Sequence, residues 1–269
     1  MPAPDLPPLP SIEPADRTVG VILHPRMVDP AALAGSITIV IDNLRASVTI
    51  AAALHAGAVA VHPCLTVEDA RAQSALLQSQ GMPRSNILLG GERGGRLIDG
   101  FDLDNSPAKY TTERVAGRTL VFTTTNGTAA LLHAAGSGVV LVGSLANVAA
   151  VTDAVAEDPR PVYLLCAGTR DAVTLDDCLA AGAFADALIR RGRQFVADDS
   201  ALLCRSAYLA SMAQAEGLFQ SMLSSRGGRN LLQIGLEADV EFCSRCDHLP
   251  VVPRFYAQER IIRLQDQRG

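Results

Sequence analysis

A series of short apolar runs in the first 165 residues constrains the fold of this chain more than any other feature. Rich in Val, Ile and Leu, the runs occur at residues 18–23, 37–41, 58–62, 87–89, 119–122, 138–142 and 162–165. Segments with a helical pattern follow several of them, near residues 46–56, 66–80, 126–135, 144–156 and 174–192. Strands that are apolar almost throughout are typical of a sheet covered on both faces. The alternation therefore predicts an α/β protein with a largely parallel sheet and several layers.

The C-terminal part has a different pattern. Residues 198–248 predict mostly helix, and residues 251–256 and 260–264 predict two closing strands. A chain of 269 residues is long enough to bury one large core or two smaller ones.

The sequence contains no internal repeat and no linker. Residues 17–269 are therefore expected to form the α/β fold, either undivided or as two closely packed subdomains of about 17–170 and 171–269. Residues 1–16 are rich in proline and predict a disordered tail.

Composition limits the classes of function. The chain is 48% hydrophobic and 19% charged, and its net charge is −5. This charge disfavours a general surface for nucleic acid or anionic membranes. No apolar run reaches the roughly 18 residues that a transmembrane helix needs, and the N-terminus lacks the features of a signal peptide. We therefore expect a cytoplasmic protein with no nucleic-acid or membrane partner.

Six cysteines in such a chain predict reduced thiols. Four of them lie singly among apolar residues, as buried thiols do: Cys64, Cys166, Cys178 and Cys204. Cys243 and Cys246, with His248 close behind, resemble half of a zinc site. A structural zinc site needs four ligands, and the chain has no second pair of this kind. The spacing therefore disfavours zinc.

Polar segments follow several of the predicted strands at the point where each strand ends. They are residues 42–47, 90–95, 123–128, 143–147 and 166–171, with Asp176 and Asp177 just after the last. Ligands of open α/β sheets bind beyond the carboxyl ends of the strands. The sequence therefore predicts one shared polar site at these ends.

The glycine-rich segment 90–95, which continues to residues 100–107, is the strongest single indication of that site. Glycine lets a backbone approach a ligand closely. Glu92 and Arg93 add a carboxylate and a guanidinium, which suit a metal ion and an anionic group. The alternative is a surface turn with incidental charges.

Other segments also have a structural interpretation. Asp42 is well placed to cap the following helix, and Arg45 to be its solvated ion-pair partner. Asn126 and Gly127 form a dipeptide that is common in hairpin turns. The residues after it, 128–134, predict a helix instead, and a helix N-terminus with hydroxyls and free N–H groups favours phosphate or another anion.

Several catalytic motifs are missing from the sequence. It contains no G-x-G-x-x-G fingerprint, no Walker A lysine and no G-x-S-x-G nucleophile elbow. It also lacks a cysteine followed six positions later by arginine, an Arg-His-Gly triplet and the second aspartate of phosphoaspartate-forming hydrolases. Among these classes of mechanism, the sequence therefore leaves metal-assisted chemistry on a small anion.

Four motifs together resemble a known family: residues 42–47, 90–94, 100–107 and 123–128, with a weaker match at 174–177 and 181–182. The chain resembles the 2-phosphosulfolactate phosphatases from about residue 18 to about residue 264. The resemblance implies Mg²⁺-dependent hydrolysis of 2-phospho-3-sulfolactate to 3-sulfolactate and phosphate. In methanogens this step belongs to coenzyme M biosynthesis. Three positions depart from the family pattern, with Ser47 in place of threonine, Asp104 in place of glycine and Asp176 in place of glutamate.

With that activity in view, we expect Mg²⁺ to neutralise the phosphate and to be held by Asp42, Glu92 and Asp177. The expected catalytic residues are Asp42, Arg45, Glu92 and Arg93, with the two arginines as clamps for the substrate's anionic groups. The expected substrate-binding residues are Ser47, Gly91, Asn105, Ser106, Thr124, Asn126, Gly127 and Thr128.

Two alternative functions stay open at this point. The first is a magnesium-dependent phosphatase for another small phosphorylated acid. The second is a non-catalytic protein of the same fold that binds an anionic metabolite. The sequence also leaves open whether the chain forms a homo-oligomer.

Overall fold

The computed structural model describes residues 16–195, 199–215 and 217–265. Among them, eleven strands form one sheet. The strands are β1 Thr18–Ile22, β2 Ile37–Ile41, β3 Ala60–Cys64, β4 Ile87–Arg93, β5 Arg96–Leu97, β6 Thr119–Thr123, β7 Val139–Gly143, β8 Val162–Cys166, β9 Gln194–Phe195, β10 Pro253–Tyr256 and β11 Ile261–Leu264. The helices are α1 Ala46–His55, α2 Val67–Ser79, α3 Thr112–Val115, α4 Gly127–His133, α5 Val148–Val155, α6 Leu175–Arg190, α7 Asp199–Met212, α8 Gly217–Ser224, α9 Arg226–Gln233 and α10 Glu237–Ser244. The predicted α/β class is confirmed, and the predicted tail lies outside the described residues except for Asp16.

The sheet consists of two parallel blocks that run in opposite directions. Strands β7, β2, β8, β1 and β9 form one block, and β3, β6 and β4 form the other. The hairpin of β10 and β11 lies between them and pairs antiparallel with β7 on one side and β3 on the other. The two predicted closing strands are therefore real, but they occupy the centre of the sheet. The sheet is largely parallel, as predicted.

Two apolar layers cover the central strands on opposite faces. Val40 of β2 packs in the layer that contains α1, whereas Ile39 and Ile41 pack in the layer that contains α6. Successive side chains of a strand point to opposite faces, which is why β2 is apolar and buried throughout. Burying an aliphatic side chain of this size contributes about 1.5–3 kcal/mol. Helix α1 is buried from Ala46 to Leu54, so the turn between β2 and α1 has a rigid support on both sides.

Strand β4 is longer than the sequence suggests. The apolar run ends at Leu89, yet the strand continues through Gly90 and Gly91 to Arg93. Gly91 pairs with Thr123 of β6, and a Cβ on Gly91 would lie 2.0 Å from the Thr123 carbonyl oxygen. Gly91 also has a φ of 136°, which disfavours other residues. Glycine at this position therefore allows β4 to pair closely with β6.

The helical prediction for the C-terminal part is confirmed for the described residues, where α7, α8, α9 and α10 follow one another. Asn126 and Gly127 do not form a hairpin turn, because α4 begins at Gly127. None of the helices that the structure describes has the length and apolar character required to cross a bilayer.

Candidate functional site

A cavity of about 480 Å³ opens where the segments after β2, β4, β6 and β8 meet helix α9. Six of the residues predicted from the sequence line it: Asp42, Arg45, Glu92, Asn105, Thr124 and Asn126. The other predicted residues lie outside its lining: Ser47, Gly91, Arg93, Ser106, Gly127, Thr128 and Asp177. The structure therefore brings four of the five predicted strand ends to one cavity, whereas residues 143–147, at the end of β7, do not line it.

Strands β2 and β6 belong to blocks that run in opposite directions, so in a flat sheet their carboxyl ends would lie at opposite edges. Sheets twist by roughly 20–25° per strand. Five strand-to-strand steps separate β6 from β2, through β3, β11, β10 and β7. The accumulated twist is large enough to turn the two blocks toward each other. The contact is close, since a Cβ on Gly127 would lie 2.7 Å from Asp42 Oδ2.

Asp42 follows β2 directly and lines the cavity. Its Oδ1 accepts from the Ala46 N–H over 3.3 Å, and its own N–H donates to the Ser47 hydroxyl over 2.9 Å. Burial raises the pKa of Asp42 from 3.8 to about 7, the Ala46 N–H opposes this rise, and the neighbouring carboxyls of Asp176 and Glu92 add to it. A carboxyl with this pKa changes its protonation state near neutral pH, as a general acid or base requires.

The two adjacent aspartates at the start of α6 have different surroundings. Both oxygens of Asp177 accept backbone N–H groups, from Asn43 and from Gly168, each over 2.8 Å. Asp177 thereby fastens the segments after β2 and β8 to α6. Asp176 is also buried, but its Oδ1 has no hydrogen-bond partner among the described residues. Burial raises the pKa of Asp176 to about 6, and burial, with the carboxyls of Asp176 and Asp42, raises the pKa of Asp177 well above its ordinary value.

Glu92 connects two segments of the cavity wall. Its Oε1 accepts from the backbone N–H and the hydroxyl of Thr125, over 3.0 and 2.9 Å, and its Oε2 accepts from the Gly95 N–H over 2.7 Å. Both oxygens therefore already have donors. The arrangement fixes the glycine turn against the loop after β6.

Arg45 is buried, and it does not pair with Asp42. Its guanidinium donates to Asp239 of α10 and, over 3.1 Å, to the Gly95 carbonyl. The other oxygen of Asp239 accepts from the Ser106 hydroxyl over 2.6 Å. The alternative interpretation of Arg45, a solvated pair with Asp42, is thus wrong, because Arg45 forms a buried pair with Asp239 of α10.

Arg93 has a different environment from the one predicted. Its guanidinium donates to the carbonyls of Glu92 and Leu65, over 2.7 and 3.1 Å, and to the Thr123 hydroxyl over 2.9 Å. The structure therefore does not place the Arg93 guanidinium in the cavity. It supports the junction of β4 and β6 instead.

The loop after β6 supplies polar groups to the cavity. Thr124 and Asn126 line it, and the Thr128 hydroxyl lies 3.5 Å behind the Thr124 hydroxyl. Asn105 reaches the same cavity from another loop, and its buried Oδ1 has no partner among the described residues. A buried polar group without a partner is costly unless a ligand or water satisfies it. These groups indicate a polar ligand.

The family model for 2-phosphosulpholactate phosphatase matches residues 22–258. The chain belongs to the 2-phosphosulfolactate phosphatase family. A probable 2-phosphosulfolactate phosphatase of Symbiobacterium thermophilum is 39% identical over 224 residues, which cover 83% of this chain and 92% of that protein. A protein of the same name from Synechococcus sp. is 41% identical over 218 residues, covering 80% of this chain and 85% of its own length.

A third relative of that name, from Caldanaerobacter subterraneus subsp. tengcongensis, is 37% identical over 216 residues and covers 80% of this chain and 86% of its own length. The matched region of the 2-phosphosulfolactate phosphatase family includes every residue that lines the cavity.

Asp104 stands where the family pattern has glycine, and neighbouring residues satisfy its carboxylate. It pairs with Lys109 over 2.5 Å and accepts from the Ser106 N–H over 3.1 Å.

Three charged residues of the site were not predicted from the sequence. Arg170 and Arg226 line the cavity, and Asp239 holds Arg45. Arg170 belongs to one of the polar segments that follow the predicted strands, and this position could have indicated that it lies at the site. Arg226 and Asp239 lie in the helical C-terminal part, where their spacing is that of an ordinary helix surface.

The cysteines are all free. Cys243 is buried in α10, where its carbonyl accepts from the Asn43 side chain over 3.2 Å. Cys246 lies beyond the end of α10 and is exposed. The two thiols therefore have different environments.

Proposed function

We propose that this chain is a Mg²⁺-dependent phosphoric monoester hydrolase that converts 2-phospho-3-sulfolactate to 3-sulfolactate and phosphate. Membership of the family supports the reaction. The observation that carries the proposal is the Asp42 carboxyl, which lies on a polar cavity next to a second buried carboxyl, Asp176. The six free cysteines support a reducing compartment such as the cytoplasm.

The residues of the site fit a magnesium ion. Mg²⁺ is usually held by one or two carboxylates, with waters and substrate phosphate completing its shell. Asp42 and Asp176 supply two carboxylates, and the unpartnered Oδ1 of Asp176 is a free acceptor. No group of three or more His, Cys, Asp or Glu residues in the described part of the chain is arranged to hold a metal, so the proposal rests on a pair.

We propose Asp42 and Asp176 as the residues that would hold Mg²⁺, in place of Asp177, whose oxygens both accept backbone N–H groups. When bound, the ion neutralises charge on the phosphate oxygens, which otherwise repel a nucleophile.

The chain's own residues position the substrate. Thr124, Asn126 and Asn105 offer hydroxyl and amide groups to the phosphate from two loops. Arg45 presents a guanidinium whose direction is fixed by Asp239. Fixed donors that face developing charge stabilise a transition state without reorganisation.

Phosphate release by the purified chain tests this proposal. The substrates are 2-phospho-3-sulfolactate, 2-phospholactate and phosphoglycolate, each with Mg²⁺ and with excess chelator. We expect Mg²⁺-dependent release with the highest kcat/KM for 2-phospho-3-sulfolactate. Preference for one of the other esters would indicate a phosphatase for another acid. Thermal stabilisation by the esters without phosphate release at any Mg²⁺ concentration would indicate a non-catalytic binder.

A further inference from the structure

Two arginines that line the cavity have no counterion among the described residues. Arg170 lies in the loop between β8 and α6, and Arg226 is the first residue of α9. Neither guanidinium takes part in an ion pair or a hydrogen bond within residues 16–195, 199–215 and 217–265. Arg45, the third arginine of the lining, is already neutralised by Asp239.

The backbone of each unpaired arginine is fixed. The Arg170 N–H donates to Asn126 Oδ1 over 3.1 Å, and the Arg170 carbonyl accepts from His24 Nε2 over 2.8 Å. Arg170 also has a φ of 57°, in the left-handed region that non-glycine residues adopt rarely. Its place at the cavity is therefore set by specific contacts from two other segments.

Arg226 is held in a similar way by the start of α9. The Ser225 hydroxyl caps this helix by accepting from the Gly228 N–H over 2.9 Å. A Cβ on Gly228 would lie 1.9 Å from the Met222 carbonyl oxygen, so α9 packs tightly against the end of α8. Asn230, one turn further along α9, also lines the cavity. Successive turns of α9 thus present one cation and one carboxamide on the same wall.

The lining of the cavity contains charges of both signs. Asp42 and Glu92 line it, and the Asp176 carboxylate is buried 3.2 Å from where a Cβ on Gly227 would lie. A cation can bridge carboxylates to a phosphate, but the carboxylates repel a second anionic group of the same substrate. The uncompensated positive charge of the lining lies with Arg170 and Arg226. Guanidinium groups present planar donor pairs that suit oxyanions.

We propose that Arg170 and Arg226 form a subsite for the sulfonate of the substrate, which, like its carboxylate, is an anionic group that is not transferred. This inference rests on the proposed function. The subsite makes Arg170 and Arg226 residues that determine specificity, because a substrate without the sulfonate leaves both cations unpaired. A site built to pair a polar group discriminates strongly against an analogue that lacks it.

The test compares two substrates that differ only in the sulfonate, 2-phospho-3-sulfolactate and 2-phospholactate. The variants are Arg226→Gln and Arg170→Gln. Arg229→Gln is the matched control, because Arg229 lies exposed on the same helix, outside the cavity lining, and donates to the Ser224 carbonyl. We expect each cavity variant to lower kcat/KM for 2-phospho-3-sulfolactate at least roughly tenfold, mainly by raising KM. The kcat/KM for 2-phospholactate should change by less than about twofold.

An equal loss for both substrates, or no loss for either, would contradict the subsite. Calorimetric binding of the product 3-sulfolactate separates this inference from the proposed function, because it needs no turnover. Binding that weakens in Arg226→Gln and Arg170→Gln but not in Arg229→Gln supports the subsite even if wild-type protein hydrolyses neither ester. Binding that is unchanged in both cavity variants overturns it, whatever the rate of phosphate release.

Discussion

Arg45 and Asp239, which are 194 positions apart in the chain, form a buried ion pair at the base of the cavity. The pair joins the start of α1 to α10, and Ser106 donates to the second oxygen of Asp239. The helical C-terminal part therefore contributes directly to the site, although the motifs of the site lie in the first half of the sequence.

Removing one partner of this pair leaves a buried charge uncompensated. We predict that Asp239→Asn lowers the free energy of unfolding by about 3–5 kcal/mol. The double variant Arg45→Met with Asp239→Leu has no unpaired charge and is expected to lose less than the single variant. Urea denaturation of the three proteins measures this order. A single variant as stable as the wild type would show that the pair is not desolvated.

The stability of metal-free protein depends on pH through Asp42. Its pKa is raised from 3.8 in the unfolded chain to about 7 in the folded one, so the folded state binds the proton more tightly. The stability that Asp42 contributes is fully present below pH 3.8 and is lost as the pH rises to about 7. Asp42→Asn does not ionise. In excess chelator at pH 8 we predict that it is more stable than wild type by about 1 kcal/mol or more, roughly 2–4 °C in Tm.

The two proteins should converge in stability near pH 4, where Asp42 is largely protonated in both states. Thermal unfolding across this range is the measurement. A stability difference that is constant with pH, or one that grows toward acid, would contradict the raised pKa.

Gly127 is predicted to be required for the position of Asp42. A Cβ at residue 127 would lie 2.7 Å from Asp42 Oδ2 and 2.8 Å from the Ala46 Cβ. Gly127→Ala therefore displaces the carboxylate and should lower kcat at least roughly tenfold, about 1.4 kcal/mol in activation free energy. Gly136→Ala is the control, because its nearest contact would be 3.9 Å away. Equal activity of the two variants would show that Asp42 need not keep this position.

We predict that Arg93 contributes to the stability of the folded protein and not to substrate binding. Lysine in its place keeps the charge but cannot reach the Glu92 carbonyl, the Leu65 carbonyl and the Thr123 hydroxyl together. We expect Arg93→Lys to lower the free energy of unfolding by roughly 1–2 kcal/mol and to leave KM within about twofold of wild type. A large rise in KM with unchanged stability would return Arg93 to the group that binds substrate.

Local patterns predicted much of the fold. The apolar run at residues 37–41 is β2 in the structure, and the Asp-rich segment after Thr174 does begin a helix, α6. These features depend on side-chain periodicity and capping within a few residues. The central position of β10 and β11 depends on pairing with β7 and β3, which is set by contacts between distant segments. No local pattern contains that information.

The site shows the same division. Asp42 and Glu92 were predicted because each follows or ends an apolar strand with glycines or hydroxyls nearby. Asp177, and not Asp176, was predicted from the sequence as a metal ligand. Local pattern cannot support that choice, because neighbouring helix residues face different directions, and the structure shows that Asp177 binds the backbone of Asn43 and Gly168. Asp239 was missed because its partner, Arg45, is remote in sequence.

Phosphate release from 2-phospho-3-sulfolactate by wild type and Asp42→Asn, each with Mg²⁺ and with excess chelator, tests the central claim most directly. Circular dichroism confirms that both proteins are folded. We predict rapid release by wild type with Mg²⁺, none in chelator, and a rate at least about a thousandfold lower for Asp42→Asn, roughly 4 kcal/mol of transition-state stabilisation. Wild-type rates in Asp42→Asn, or full wild-type activity after removal of all metal, would contradict a magnesium phosphatase site centred on Asp42.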